Sequence, residues 1–246
     1  MMRIFTLNIN GLRGLEKMGY VLPEEEFETN LRCLKELIDE SINDTESIII
    51  LQEVPHKIWD RIYRTWHENA FYERFISYFE ENDYRVFRPK HLIDSRQCTV
   101  ALSKKDSLWK YIDREIISYE KGYPYGNRMV ELQYGDLTLL GLHMKPNDEM
   151  WNMIFNSYKE RKHTILAGDF NAYECRGEMR DKPQQLRGCQ YITLIPCNVI
   201  TDFRDKSSID NFFISSAYEI TNGIDIKVAK LEKFKTDHAL CMFEIK

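Results

Sequence analysis

The sequence predicts an α+β chain in which two β-sheets pack face to face and a few helices cover the outside. Short apolar runs with strand character recur from Arg3 to Ile245. Only a few segments carry apolar residues at helical spacing. Strands therefore outnumber helices too far for a simple alternating βαβα order, and stacked sheets with outer helices remain as the layered solution.

Arg3 to Asn8 reads as the first strand. Pro23 then opens a helix, with Glu24, Glu25 and Glu26 complementing its positive end. Phe27, Leu31, Leu34 and Ile38 recur along that helix at helical spacing. Ser47 to Gln52 encloses Ile48-Ile49-Ile50-Leu51, a run typical of a strand buried on both faces. Trp59, Ile62, Tyr63 and Trp66 fit one helical face, and Phe71, Phe75, Tyr78 and Phe79 fit another. Such aromatic density also suits a base-stacking platform, but helical spacing favours core packing. Thr99 to Leu102, Met129 to Gln133, Leu137 to Leu142, Ile192 to Ile195, Asn211 to Ile214 and Leu240 to Ile245 read as strands. Glu149 to Tyr158 reads as a helix before the strand that ends at Asp169.

The chain has 246 residues, with only 7 prolines and 11 glycines, and it carries no long linker, repeat or low-complexity tract. One domain over residues 1–246 is expected. The first residues lack the apolar core of a signal peptide, and no apolar run approaches the ~20 residues of a membrane span. The six cysteines show no Cys-x-x-Cys spacing, which disfavours a zinc site and suits reduced thiols. A cytoplasmic, monomeric protein with no obligate partner is the resulting expectation. A formal net charge of −5 disfavours a broad, nonspecific polyanion binder. It does not exclude a nuclease, because the local field of a cleft matters more than the total.

The chemistry lies at the strand ends. Ile165-Leu166-Ala167-Gly168 leads into Asp169, with Asn171 two positions on. Alternation in an extended chain points both side chains the same way, at the mouth of a buried strand. There a carboxylate can ligate a hard cation or position a water, and an amide can donate to an anion while accepting from that water. Other strands end alike: Asn8 and Asn10 after the first, Glu53 after the second, His143 after Leu142. Asp210 adjoins another strand, and Asp237-His238 precedes the last. Each residue singly fits a turn former or a solvated strand exit. The recurrence of polar ends on apolar strands is what points to a site.

Asn8-Ile9-Asn10-Gly11-Leu12-Arg13, Leu51-Gln52-Glu53, Gly168-Asp169-Phe170-Asn171, Ile209-Asp210 and Thr236-Asp237-His238 occur in this order. In that order and content the chain resembles the endonuclease/exonuclease/phosphatase superfamily over residues 3 to 245. The resemblance implies a four-layer αββα sandwich of two mixed sheets. It also implies Mg²⁺-dependent hydrolysis of a phosphoester, with Mn²⁺ as a substitute. In that reading Glu53, Asn8, Asp237 and Asn10 are metal ligands, and Asp169 orients or deprotonates the attacking water. Asn171 holds that water or a phosphoryl oxygen, and Arg128, in Asn127-Arg128, binds phosphate. His238 contacts the phosphate, Asp210 fixes its ring, and His143 protonates the leaving group. Asn10 stands where abasic-site enzymes of the family carry aspartate. Pro55 stands where deoxyribonuclease I has a minor-groove arginine. A nuclease acting on DNA is the leading expectation. A phosphatase or phosphodiesterase acting on a small or lipid phosphoester is the first alternative. A catalytically inactive binding module on the same fold is the second. The basic residues Arg176, Arg180, Lys182 and Arg187 between Glu174 and Gln190 are nearly balanced by acids, so no nucleic-acid patch is read there.

Overall fold

The computed structural model describes residues 2–16, 22–89, 92–112, 125–172, 182–187, 189, 191–193, 199–215, 227–229 and 234–245. The strands are β1 (Met2–Asn8), β2 (Ile48–Pro55), β3 (Lys57–Asp60), β4 (Thr65–Glu68), β5 (Tyr84–Phe87), β6 (Gln97–Lys104) and β7 (Lys110–Tyr111). They continue as β8 (Met129–Tyr134), β9 (Leu137–His143), β10 (Thr164–Asp169), β11 (Tyr191–Thr193), β12 (Asp210–Ser215), β13 (Lys227–Ala229) and β14 (Leu240–Ile245). The helices are α1 (Glu24–Ser41), α2 (Ala70–Glu81), α3 (Asp148–Tyr158) and α4 (Lys182–Arg187). One sheet has the order β13-β14-β1-β2-β6-β5 and the other β11-β12-β10-β9-β8-β7. Both are mixed, because β1 runs parallel to β2 and β9 to β10, while neighbours such as β14 and β8 run antiparallel.

Strand alternation explains the layers. In β1 and β2, Phe5, Leu7, Ile49 and Leu51 face one way and pack with Phe27, Leu31 and Leu34 of α1 and Phe75 and Phe79 of α2. Ile4, Ile48 and Ile50 face the other way and meet Leu139, Ile165, Ala167, Phe212 and Ile214 of the second sheet. The outer face of that sheet, with Leu140, Leu142, Leu166 and Phe213, packs on Trp151 and Ile154 of α3 and Leu186 of α4. The apolar runs in the sequence are thus strands with both faces covered. At Gly141 an added Cβ would lie 2.7 Å from a methyl of Ile50, so the missing side chain lets the two sheets close together there.

The segment around Trp59 and Trp66 is not the helix that its spacing suggests. It is a β-hairpin in which β3 and β4 pair Trp59 with Trp66, ring centroids 5.1 Å apart. The Asp60 carboxylate accepts from the Ile62 and Tyr63 amides, and Arg64 adopts φ 51, which together set the turn. A spacing of seven residues serves a helix face and a cross-strand pair equally well, and the turn chemistry decides between them. Core packing holds for the later aromatics, since Phe75 and Phe79 are fully buried. Strands β5, β7 and β13 were not expected from the sequence; each is short, with β7 only two residues. Of the strand expected at Ile192 to Ile195, β11 covers the first part; residues 194 and 195 lie outside the described residues, as does most of the segment from Glu174 to Gln190.

Candidate active site

The alternation that fills the space between the sheets also builds the site. Inward positions run Ile165, Ala167, Asp169 on β10 and Leu139, Gly141, His143 on β9; on β12 they run Ile214, Phe212, Asp210. Pairing sets Asp169 directly beside His143 on one side and Asp210 on the other. Three polar side chains therefore form one row across three adjacent strands, capping the apolar core. The first sheet faces this row with Asn8 and Gln52, which are register partners.

Asp169 is the hub. Asn8 donates through Nδ2 to its Oδ2 at 3.2 Å, and His143 Nε2 lies 3.6 Å from the same oxygen. Glu53 Oε1 lies 3.9 Å from His143 Nε2. Glu53 reaches the site because β2 breaks its register between Leu51 and Val54, with Glu53 itself at φ 59. Undisturbed alternation would have sent it toward the helices with Leu51. Asp210 is fully buried and accepts through Oδ2 from His238 Nδ1 at 2.8 Å. Thr201 Oγ1 accepts from the Ile209 and Asp210 amides at 3.0 Å, fixing where that carboxylate begins. Thr236 donates to the Asn8 carbonyl at 2.8 Å and so ties the approach to β14 to the end of β1.

The other expected residues fall into place with different local duties. Asn171 sits at φ 49; its amide nitrogen donates to the Met144 carbonyl at 3.0 Å, and its backbone N–H donates to Asp169 Oδ1 at 2.9 Å. The side chain therefore holds the β9 and β10 exits together. Asn171→Ala is expected to lower stability by about 1–2 kcal/mol, from a lost hydrogen bond and a left-handed backbone that alanine tolerates less well. Unchanged thermal unfolding would contradict that reading. Arg128 donates to the His143 carbonyl at 3.2 Å. Asn10 is spoken for by its own loop: Nδ2 donates to the Gly14 and Glu16 carbonyls and Oδ1 accepts from Arg13. Asp237 pairs with Arg204.

Two neighbours of Glu53 escaped the sequence reading as site residues. Arg13 lies 3.4 Å from Glu53 Oε2, and Gln97 Nε2 donates to the same oxygen. Arg13 is the last residue of the Asn-Ile-Asn-Gly-Leu-Arg motif, so its signal was present. Gln97 opens an ordinary strand and has none.

Charge and burial set the protonation pattern. Burial, reinforced by the nearby Asp210 charge, pushes Asp169 up to about 7. Burial also works against a charged His238, but Asp210, with Asp169 and Asp237 behind it, outweighs that and pushes His238 up to about 10. His143 goes the other way: burial, then Arg128 and His238, hold it well below the usual histidine range. In an unfolded chain a histidine titrates near 6.5, so the His238 proton stabilises the fold fully below about 6.5 and that contribution is lost as pH rises through about 10. His143 has the opposite sign: its neutral form favours the fold above about 6.5, and that contribution is lost on acidification. The melting temperature in chelator should therefore fall between about pH 7 and 10, and His238→Gln should flatten that slope. An unchanged slope in the variant would place the titration elsewhere.

Among the described residues, two groups can hold a cation: Asp169, Asp210 and His238, and Asp202, Asp237 and His238. Their donors are mainly carboxylate oxygens, the set a hard divalent ion takes. Asp210 Oδ1 is buried and has no hydrogen-bond partner among the described residues. Together with the raised Asp169, that orphaned oxygen marks a place where negative charge lacks compensation, and a divalent cation fits it. Glu53 lies outside both groups; one of its oxygens is taken by Arg13 and Gln97, while the other faces His143.

No family model matches the sequence, and no curated protein matches it. Solved structures do share its fold. A 3′–5′ exonuclease from Neisseria meningitidis is 13% identical with a TM-score of 0.63, the match covering 98% of each chain. An AP endonuclease from Archaeoglobus fulgidus is 13% identical with a TM-score of 0.58, covering 100% of each. An endonuclease/exonuclease/phosphatase family protein from Leptotrichia buccalis is 17% identical with a TM-score of 0.59, again over 100% of each. At these identities the likeness establishes the fold.

Proposed function

We propose that this chain, which has the endonuclease/exonuclease/phosphatase fold, is a divalent-metal-dependent phosphodiester hydrolase acting on nucleic acid, with DNA as the substrate. The observation that carries the proposal is the row of His143, Asp169 and Asp210 at the end of the sheets, with His238 hydrogen-bonded to the buried Asp210. Together, Asp169 and His238 would supply a proton acceptor and a cationic donor.

A bound Mg²⁺ or Mn²⁺ would neutralise phosphoryl charge, held by Asp169 and Asp210, with Glu53, Asn8 and Asp237 as further oxygen donors nearby. Without the ion, burial beside Asp210 raises Asp169 to about 7; with a cation beside it the carboxylate would stay charged, and it would orient the attacking water and draw on its proton. Asn8, through its bond to Asp169, keeps that carboxylate aimed. His238, at about 10, remains protonated and presents a charged donor to a phosphoryl oxygen, while Asp210 holds its ring from the far side. His143 is neutral at the same pH, so it serves as a neutral N–H donor or a proton carrier rather than as a fixed charge. Arg128 and Arg13 add positive field to the same end of the sheets. The DNA assignment draws on the exonuclease and AP endonuclease among the similar folds.

A substrate panel tests the proposal: long duplex DNA, short and nicked oligonucleotides, a small phosphodiester and a phosphomonoester, each with Mg²⁺. Net charge is −5 and Pro55 cannot reach a groove, so short substrates should be cut about as readily as long duplex. Their salt dependence should be shallow. Turnover of the phosphomonoester alone would move the assignment to a phosphatase.

A further inference from the structure

The β3–β4 hairpin stands apart from both sheets as a separate two-stranded unit. It begins four residues after Glu53, so it leaves the same end of β2 as the site. Its base is locked to the frame. His56 N donates to the Arg96 carbonyl at 2.8 Å and Lys57 N to the Ser95 carbonyl at 3.0 Å. His56 Nδ1 lies 3.0 Å from Asn127 Nδ2, which links the base to the residue preceding Arg128. Lys57 is held by Glu68 and Asp94 at 3.0 Å each. The Trp59–Trp66 pair stiffens the arm beyond its base.

Among the described residues the far end has no such partners. Ile62 and Tyr63 are 85% and 77% exposed, and Arg61 and Arg64 on either side of them are exposed and make no ion pair with a described residue. The one acid in the turn, Asp60, is engaged by the turn amides. In a chain of net charge −5, this tip therefore presents two uncompensated cations bracketing an aliphatic and an aromatic side chain. Arg96, exposed at the hairpin base, lies in the electrostatic field of Arg13, which pairs with Glu53. Arg96 thus carries positive charge from the site to the hairpin base.

We propose that this hairpin is a nucleic-acid grip, in which Arg61 and Arg64 contact phosphates and Tyr63 stacks on a base of the strand leaving the site. The proposal rests on the nuclease reading above. Four strand residues reach about 13 Å, the axial length of about four nucleotides at 3.4 Å each, so the tip meets the strand a few nucleotides from the scissile bond. Each base has a π-face, so the contact tolerates sequence, and two phosphates keep its salt dependence low. A lipid surface is the rival occupant; it is less suited, because one isoleucine and one tyrosine offer little apolar area for insertion.

The test measures binding of a fluorescent single-stranded oligonucleotide in chelator, so that turnover is not required. Arg61→Ala/Arg64→Ala should weaken binding at least tenfold and reduce the slope of log affinity against log salt by about 1.4, the value for two single-strand phosphates. Tyr63→Ala should weaken binding about tenfold with little change in that slope. Unchanged melting temperature and an unchanged far-ultraviolet exciton band from the Trp59–Trp66 pair verify that the hairpin still forms. Unaltered oligonucleotide affinity in these folded variants would overturn the grip. So would wild-type binding to anionic phosphatidylserine vesicles that the variants lose while oligonucleotide affinity holds. Oligonucleotide binding that needs the hairpin, in a protein that cleaves no phosphodiester, would retain the grip and remove the nuclease reading instead.

Discussion

Asp210→Asn and His238→Ala are each expected to lower turnover by about 10²–10⁴-fold, and the double variant should fall little further. The two side chains are buried and joined at 2.8 Å through Oδ2 and Nδ1. Asparagine at 210 keeps the shape but removes the charge that holds the His238 proton, so the imidazole loses both its orientation and its cationic form at neutral pH. Alanine at 238 removes the donor itself and leaves Asp210 buried with no ring to hold. Either change disables the same unit, and for that reason the losses do not add. Additive losses in single-turnover rates would mean that Asp210 is structural and His238 acts without it.

Much of this was legible in the sequence because burial on both faces leaves a plain mark. The runs Ile48 to Leu51 and Ile165 to Ala167 had to be interior strands, and the polar residue that ended each run had to sit at a rim. Period-two alternation then carried Asp169, His143 and Asp210 to one face, and strand pairing, which no local pattern encodes, set them in one row. The hairpin was misread because Trp59 and Trp66 satisfy helical and cross-strand geometry alike; the decisive signal was Asp60 accepting two turn amides, a side-chain-to-backbone choice that apolar periodicity ignores. The resemblance makes Asn10 a metal ligand and gives Asn171 a water or a phosphoryl oxygen to hold. Their amides also had local carbonyls within reach, Gly14 and Glu16 for one and Met144 for the other. Gln97 could not be found from the sequence, because it meets Glu53 only after β2 and β6 pair.

Asp169→Asn is expected to reduce turnover by about 10³-fold or more, near the largest effect of any single substitution here. Asp169 touches Asn8, lies within 4 Å of His143 and sits opposite Asp210 across β10 and β12. Asparagine preserves the shape and the bond from the Asn171 amide, so the fold should persist. It cannot take a proton from water, and it offers a cation one charge fewer. Because a buried carboxylate near 7 is itself a cost to the folded state at neutral pH, the variant should melt no lower than the native protein in chelator. A large drop in melting temperature with retained turnover would show Asp169 to be a structural acid.

The central claim is that this row of carboxylates and imidazoles works with a divalent cation on a phosphodiester. Hydrolysis of one short labelled oligonucleotide, followed first in excess chelator and then after Mg²⁺ or Mn²⁺ is added back, tests it most directly. The account predicts no cleavage in chelator, recovery with the metal, and no recovery in Asp169→Asn. Full cleavage by the native protein in excess chelator would contradict it.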